Sequence, residues 1–419
     1  MKNKKLTLLI LLAWVIIALV DSNNTPIGKH CHDCDAHLQY VQIIQSKHHL
    51  PSPHEGLHTY HPPLYYLIIS FLTPSQDPDD INSFARALSI AFGVIATLII
   101  ILILEQFIKH KKHLALIALL TISTPKFVYI FTTFNNDSLA TLLNISIIGL
   151  CLYLYKTWNN KMSIALFLVS TCSFYTKYTS FYCITSILLT LFGITIFNFL
   201  RKNSQIKTYG KRLTAIFVTS FAMFLPWIIF HNYHDTKEFF PTSFEQQENR
   251  GDLVQHINSI KSVIHFFPCL LKDEWNSPWA LDPPKNNDFF AFSFVTSIIG
   301  EWWYSNPKVE YFFILLILHA LIGLISAIYL FKSPINIYIS FFFICCSYFT
   351  HLITISKITI PVQSCFMDYR YIAWNIPVWC IIFGNAFNKD IKEKSFLEVL
   401  YILSILIHLC ILYSGITDR

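Results

Sequence analysis

Apolar runs of about twenty residues recur along the whole length of this chain, and a run of that length crosses a hydrocarbon core of ~30 Å as a helix. No other feature restricts the fold as strongly. The runs are uniformly apolar, unlike the ~10-residue alternating segments of a membrane β-barrel. Only 13% of the 419 residues are charged and 54% are hydrophobic, against roughly 25% charged in soluble domains. The expected fold class is an all-α polytopic membrane protein. Eleven spans are expected, near 6–20, 84–107, 114–131, 138–157, 162–176, 179–200, 213–230, 310–331, 335–356, 370–387 and 396–415.

Orientation follows from basic residues in short loops. With the N-terminus cytoplasmic, the inside segments hold Lys2, Lys4, Lys5, Lys109, Lys111, Lys112, Lys156, Lys161, Arg201, Lys202, Lys207, Lys211, Arg212, Lys332, Lys389, Lys392 and Lys394. These are seventeen of the thirty-one Lys and Arg. The net charge of +6 arises from this bias and does not point to nucleic acid. One membrane domain, 1–419, then carries two outward elaborations, 21–83 and 231–309. The first run resembles a signal peptide but has no small-x-small cleavage site before Asp21, so an uncleaved anchor is expected.

The first outward segment is far longer than a connection between two spans requires. It holds eight of the seventeen histidines, with Asp33, Asp35 and Glu55. Within it, Leu64–Leu72 is apolar but too short to span. Pro62 and Pro63 suit a helix start, where a missing N–H costs nothing. A helix lying at the interface is expected there, with Tyr65 and Tyr66 at headgroup depth and Asp79 and Asp80 capping the next span. In the second segment, Ile257 to Leu271 fits an amphipathic surface helix. Trp275, Trp279, Trp302 and Trp303 fit interface anchors or stacking platforms for a sugar or lipid.

Most cysteines lie in spans and act as small hydrophobes. Cys31 and Cys34 form a C-x-x-C outside them, open to a disulfide, to free thiols or to zinc, although a second half-site for zinc is missing.

Several short strings occur in order and at matching membrane depth. They are Asp33-x-x-x-His37 with Tyr40; His61-Pro-Pro-Leu-Tyr-Tyr; Phe84-Ala-Arg86; Thr124-Pro125 followed by Asn135-Asn136-Asp137-Ser138; Thr176-Lys177-Tyr178-Thr179; and Asp368-Tyr369-Arg370-Tyr371. Together they resemble the GT-C superfamily of membrane glycosyltransferases, in its protein mannosyltransferase-like and aminoarabinose transferase-like branches. The resemblance covers about 33 to 371. It implies inverting transfer of a sugar from a polyprenyl-phosphate donor to a lipid, glycan or protein acceptor on the extracytoplasmic face.

Carried over by position, Asp33 matches the acidic residue of the first outward loop, with Asp35 as its neighbour and Asp137 as a further catalytic candidate. His61 stands where many relatives have a Lys that touches the donor phosphate. Histidine there carries full charge only below a pKa near 6.5, so Arg370 and Arg86 are the stronger phosphate candidates, with Lys177. His37, Tyr40 and Tyr65 complete the expected substrate-binding set. No metal ligand set is identified; a divalent cation is the one cofactor left open.

The chemistry stands without the resemblance. Glycosyl transfer from a phosphate needs a base for the acceptor and cations for the departing phosphate, and an arginine fork meets phosphate oxygens in pairs. Each candidate also has a plainer reading. Arg86 and Arg370 lie at span ends where arginine snorkels to the interface, and Asp137 sits where a helix cap belongs. The rival from another class is a transporter or flippase for a lipid-linked or small solute. No repeated pair of interrupted helices, the mark of that class, is found.

Overall fold

The computed structural model describes residues 3–24, 33–73, 75–199, 204–241, 254–255, 289–298, 309–330, 335–357, 362–363, 368–387 and 394–417. Helix covers each of the eleven apolar runs. In chain order these are α1 (Lys4–Asn24), then α2 (Cys34–Lys47) and α3 (Leu64–Leu72) outside the spans, then α4 (Pro78–Leu104), α5 (Lys111–Ser123), α6 (Pro125–Thr132), α7 (Asp137–Lys156), α8 (Asn160–Phe174), α9 (Ser180–Phe199) and α10 (Ser204–Pro226). After α11 (Phe289–Ile298) come α12 (Val309–Leu330) and α13 (Ile335–Lys357). A 3₁₀ segment, Tyr369–Asn375, leads into α14 (Ile376–Phe387), and α15 (Lys394–Thr417) closes the described chain. Six of the described helices are long and apolar enough to cross a membrane, or seven with a bent pair counted as one. The class of the fold is as expected; the number eleven is not established by this criterion.

That bent pair corrects the expected third span, 114–131. Thr124 is extended (φ −61, ψ 125), because a residue before proline is pushed out of the α region. Pro125 then opens α6 as its first residue, and α5 and α6 meet at 60°. A second irregularity follows Pro226, where a π-helical stretch, Trp227–Tyr233, extends α10.

The interfacial helix forms as expected, over Leu64–Leu72. Its start is tied to the membrane bundle by Leu64 N–H donating to Tyr175 O at 2.9 Å. The cap of α4 differs from expectation: Asp77 accepts from the amides of Asp79 and Asp80, with Pro78 as first residue. Pro78 lacks the N–H, so the residue before it takes the capping position.

Trp14 of α1 is fully buried, with ring centroids 5.1 Å from Phe127 and 6.2 Å from Phe131 of α6. Gly93 of α4 makes room for it, since a Cβ there would lie 2.4 Å from the indole. This contact sets the seat of α6 between α1 and α4.

Alternation of the spans gathers the end of α1, the starts of α4 and α7, the end of α6, the α8–α9 link, the end of α10 and the 3₁₀ segment at one end of the bundle. At the other end, Glu398 of α15 accepts from Lys112 at 2.6 Å and lies 2.9 Å from His113 Nε2. A two-residue antiparallel pairing joins Val254–Gln255 to Val362–Gln363. Ile257 to Leu271, the four tryptophans of the second outward segment, and Cys31 lie outside the described residues.

Candidate active site

The first end holds the ionisable groups. Asp33 is the residue before α2, and its carboxylate does not cap the helix. Its side chain is 26% exposed, and Oδ1 lies 3.3 Å from Nε2 of the buried His58. That separation permits an ion pair, but the alignment does not meet hydrogen-bond geometry.

One turn into α2, His37 Nδ1 is 2.9 Å from the Tyr66 hydroxyl, which also accepts from Asn136 Nδ2 at 3.2 Å. The rings of His37 and His58 are 5.0 Å apart, and those of His58 and His61 5.1 Å, all near parallel. Tyr40 stacks on Tyr66 at 3.9 Å and donates to His61 O at 3.2 Å. The α2–α3 unit is thereby bound to the loop between its helices and, through Asn136, to the start of α7.

Two buried Lys–Asp pairs flank this cluster. Lys177, in the α8–α9 link, donates to Asp137 Oδ1 at 2.7 Å. Lys126 of α6 meets Asp368 at 2.6 Å, both side chains fully buried. Asp368 also accepts from the Arg370 amide at 2.5 Å, which fixes the start of the 3₁₀ segment. The Arg370 guanidinium donates to the Tyr371 hydroxyl at 3.2 Å, and the Lys177 ammonium lies 5.7 Å from the same ring. Lys177 and Arg370 are close enough to perturb each other.

Burial shapes the protonation states. It pushes the His37 and His61 imidazoles well below their ordinary value, with neighbouring His58 acting in the same direction. Both rings are therefore neutral near pH 7, and His61 is not the cation at the position it occupies. Burial also lowers the Lys177 ammonium, opposed by Asp137.

The consequence for stability has a definite sign. In the unfolded chain these imidazoles bind a proton near pH 6.5, whereas in the folded chain they resist it, so stability rises with pH in this window. It is fully present above about pH 6.5 and falls on acidification below it, by at most about 1.4 kcal/mol per pH unit and per histidine. Thermal unfolding in detergent should show a midpoint that drops between pH 7.5 and 5.5, and His61→Gln should flatten the drop.

The expected residues do not all converge. Asp33, His37, Tyr40, His61, Lys177 and Arg370 lie together or in electrostatic reach of one another, and Asp137 is held by Lys177. Tyr65 is buried on the opposite side of α3 from this cluster, against Ser89 and Ser138. Asp35 is exposed. Arg86 donates to Thr132 O at 3.1 Å and to Ser22 O at 2.8 Å, joining α1, α4 and α6. Cys34 is disulfide-bonded. Among the described residues no group of three or more His, Cys, Asp or Glu side chains is arranged to hold a metal ion.

His58 and Lys126 belong to this end and were not singled out from sequence. Lys126 did carry a signal. It falls inside the expected third span, where a lysine costs roughly 2.5–3.5 kcal/mol unless paired. His58 carried none, being one histidine among eight in its segment.

Residues 60–230 match the family described as dolichyl-phosphate-mannose-protein mannosyltransferase. No curated protein matches the chain. Similar solved structures include the apo oligosaccharyltransferase of Archaeoglobus fulgidus, at 14% identity and TM-score 0.47, covering 98% of this chain and 55% of that one. The same enzyme tethered to an acceptor peptide containing the NVT sequon gives 13% identity, TM-score 0.48 and the same coverage. This chain therefore spans 55% of the length of the solved structures it matches.

Proposed function

We propose that this chain, which belongs to the GT-C superfamily of membrane glycosyltransferases, transfers a sugar from a polyprenyl-phosphate donor to an acceptor outside the cytosol. Asp33 takes the proton of the acceptor hydroxyl or amine as that atom attacks the anomeric carbon. The bond to the donor phosphate breaks on the opposite face, so the anomeric configuration inverts. Arg370, seated by Asp368, meets the charge left on the phosphate, and Lys177 adds a positive field from the far side of Tyr371.

The observation that carries this reading is the meeting of a partly exposed carboxylate with buried cations at one end of the bundle. Asp33 arrives from the first segment, Lys177 from the α8–α9 link and Arg370 from the 3₁₀ segment. The match of residues 60–230 to a family described by a lipid-phosphate sugar donor supports the donor class. Asp137 acts here as the counter-ion of Lys177, and the contacts of Arg86 fit a structural role. Asp35 remains an exposed neighbour of the base, Tyr65 supports α3 from behind, and His37 and Tyr40 shape the wall beside Asp33. The basic-residue asymmetry of the loops supports a cytoplasmic N-terminus and an outward site.

The test is to supply the purified protein, in detergent with membrane lipid, with a polyprenyl-phosphate sugar, a nucleotide sugar and a polyprenyl-pyrophosphate sugar, and to follow donor loss. Consumption of the first with release of polyprenyl phosphate is the expected result. Use of the nucleotide sugar alone would overturn the donor assignment.

A further inference from the structure

We propose that His58 is a positioning residue for Asp33, holding one carboxylate oxygen so that the other faces the acceptor. This deepens the reading of Asp33 as the base and rests on it.

The geometry that points to His58 begins with the loop that carries it. Gly56 N–H donates to Thr59 Oγ1 at 3.0 Å, and that hydroxyl donates back to Gly56 O at 2.9 Å. His61 N–H closes on His58 O at 3.0 Å. Gly56 lies so near α2 that a Cβ there would be 2.6 Å from Gln39 Oε1. Further back, Pro51 O is 2.8 Å from His231 Nε2 at the end of α10, and Glu55 pairs with Lys47 of α2. The His58 backbone is thus pinned to α2 from several sides.

The ring is pinned as well. His37 and His61 lie near parallel to it, at interplanar angles of 20° and 7°, which leaves rotation of the imidazole little room. The side chain is 6% exposed and its Nε2 edge is turned to Asp33 Oδ1. Neither ring nitrogen has another hydrogen-bond partner. A buried polar group costs free energy until it is paired, so the Asp33 carboxylate is the group that offsets the cost.

The charged and titratable groups around this pair are His37 from α2, His61 from the loop, Lys177 from the α8–α9 link and Arg370 from the 3₁₀ segment. With an N–H from His58 on Oδ1, Asp33 keeps its negative charge and its orientation while Oδ2 accepts the acceptor proton. The new bond forms from the acceptor atom to the anomeric carbon. The electron pair of the broken bond leaves with the phosphate, and the proton stays on Asp33.

His58→Phe keeps a flat ring in the cluster and removes both nitrogens. It should lower kcat by roughly 10–100-fold with the KM for the donor unchanged. Losing the N–H also moves the acid limb of the pH–rate profile upward, because the carboxylate is then easier to protonate. His58→Gln, which retains an amide donor, should restore the limb and part of the rate. In the Asp33→Asn background His58→Phe should cost nothing further, as expected of residues that act as a unit.

Wild-type kcat and pH profile in a folded His58→Phe protein would overturn the proposal, as would a loss that persists in full alongside Asp33→Asn. Should His58→Phe fail to fold, His58→Gln carries the same cycle. A loss that vanishes beside Asp33→Asn supports the proposal, and one that persists overturns it. Full activity of Asp33→Asn itself would instead sink the base assignment, whatever His58 does.

Discussion

Asp33→Asn should lower sugar transfer by about 10²–10⁴-fold, the range for losing a positioned general base. Asparagine has nearly the shape of aspartate, so the cluster of His37, His58 and His61 should persist and the protein should melt near the wild-type temperature. The loss should appear in kcat, because Asp33 acts on the acceptor proton as the new bond forms and is not a donor-binding cation. Asp35→Asn should be close to neutral, since that side chain is exposed on the first turn of α2. Transfer kinetics with purified variants check both. An inactive Asp35→Asn beside a fully active Asp33→Asn would move the role to the neighbour.

Arg370→Ala should weaken use of the lipid-phosphate donor by roughly 10²–10³-fold, the usual cost of removing a donor aimed at developing charge. Its amide remains capped by Asp368, so the 3₁₀ segment should keep its start. Arg370→Lys should recover only part of the loss, because a point charge cannot reproduce a two-pronged contact with phosphate. Arg86→Ala provides the comparison. It removes bonds to Thr132 O and Ser22 O, so it should cost stability, with donor use by the folded fraction near wild type. Equal effects of both changes on donor use would contradict the placement of the phosphate.

Much of this fold is legible in the sequence because span length is a one-dimensional property. Each apolar run became helix, and the Pro62-Pro63 pair marked the start of the interfacial helix to the residue. The break at Thr124 was missed although Pro125 was visible, since membrane helices tolerate proline where neighbours satisfy the freed backbone groups. Whether a proline bends or breaks a span depends on what packs beside it, here Trp14 of α1 on Phe127.

The candidate site was legible in part for a similar reason. Asp33, Lys177 and Arg370 each stand at the edge of a span, and span edges at one face can be counted from the topology. Their partners cannot be counted that way. Lys126 and Asp368 are 242 residues apart, Lys177 and Asp137 are 40 apart, and both pairings are choices made by helix packing. Arg86 shows the reverse case, a charge at the expected end of the bundle whose hydrogen bonds go to two backbone carbonyls. His61 shows another, since burial decides its charge and only tertiary structure sets burial.

The central claim is that one end of this bundle drives transfer from a lipid phosphate through the Asp33 carboxylate. Its most direct test is donor consumption by purified wild-type and Asp33→Asn protein, side by side, on a polyprenyl-phosphate sugar with the anomeric configuration of the product read by NMR. The expected result is an inverted product from the wild type and almost none from the variant, with both proteins folded. A retained configuration, or equal turnover by the two proteins, would contradict the account.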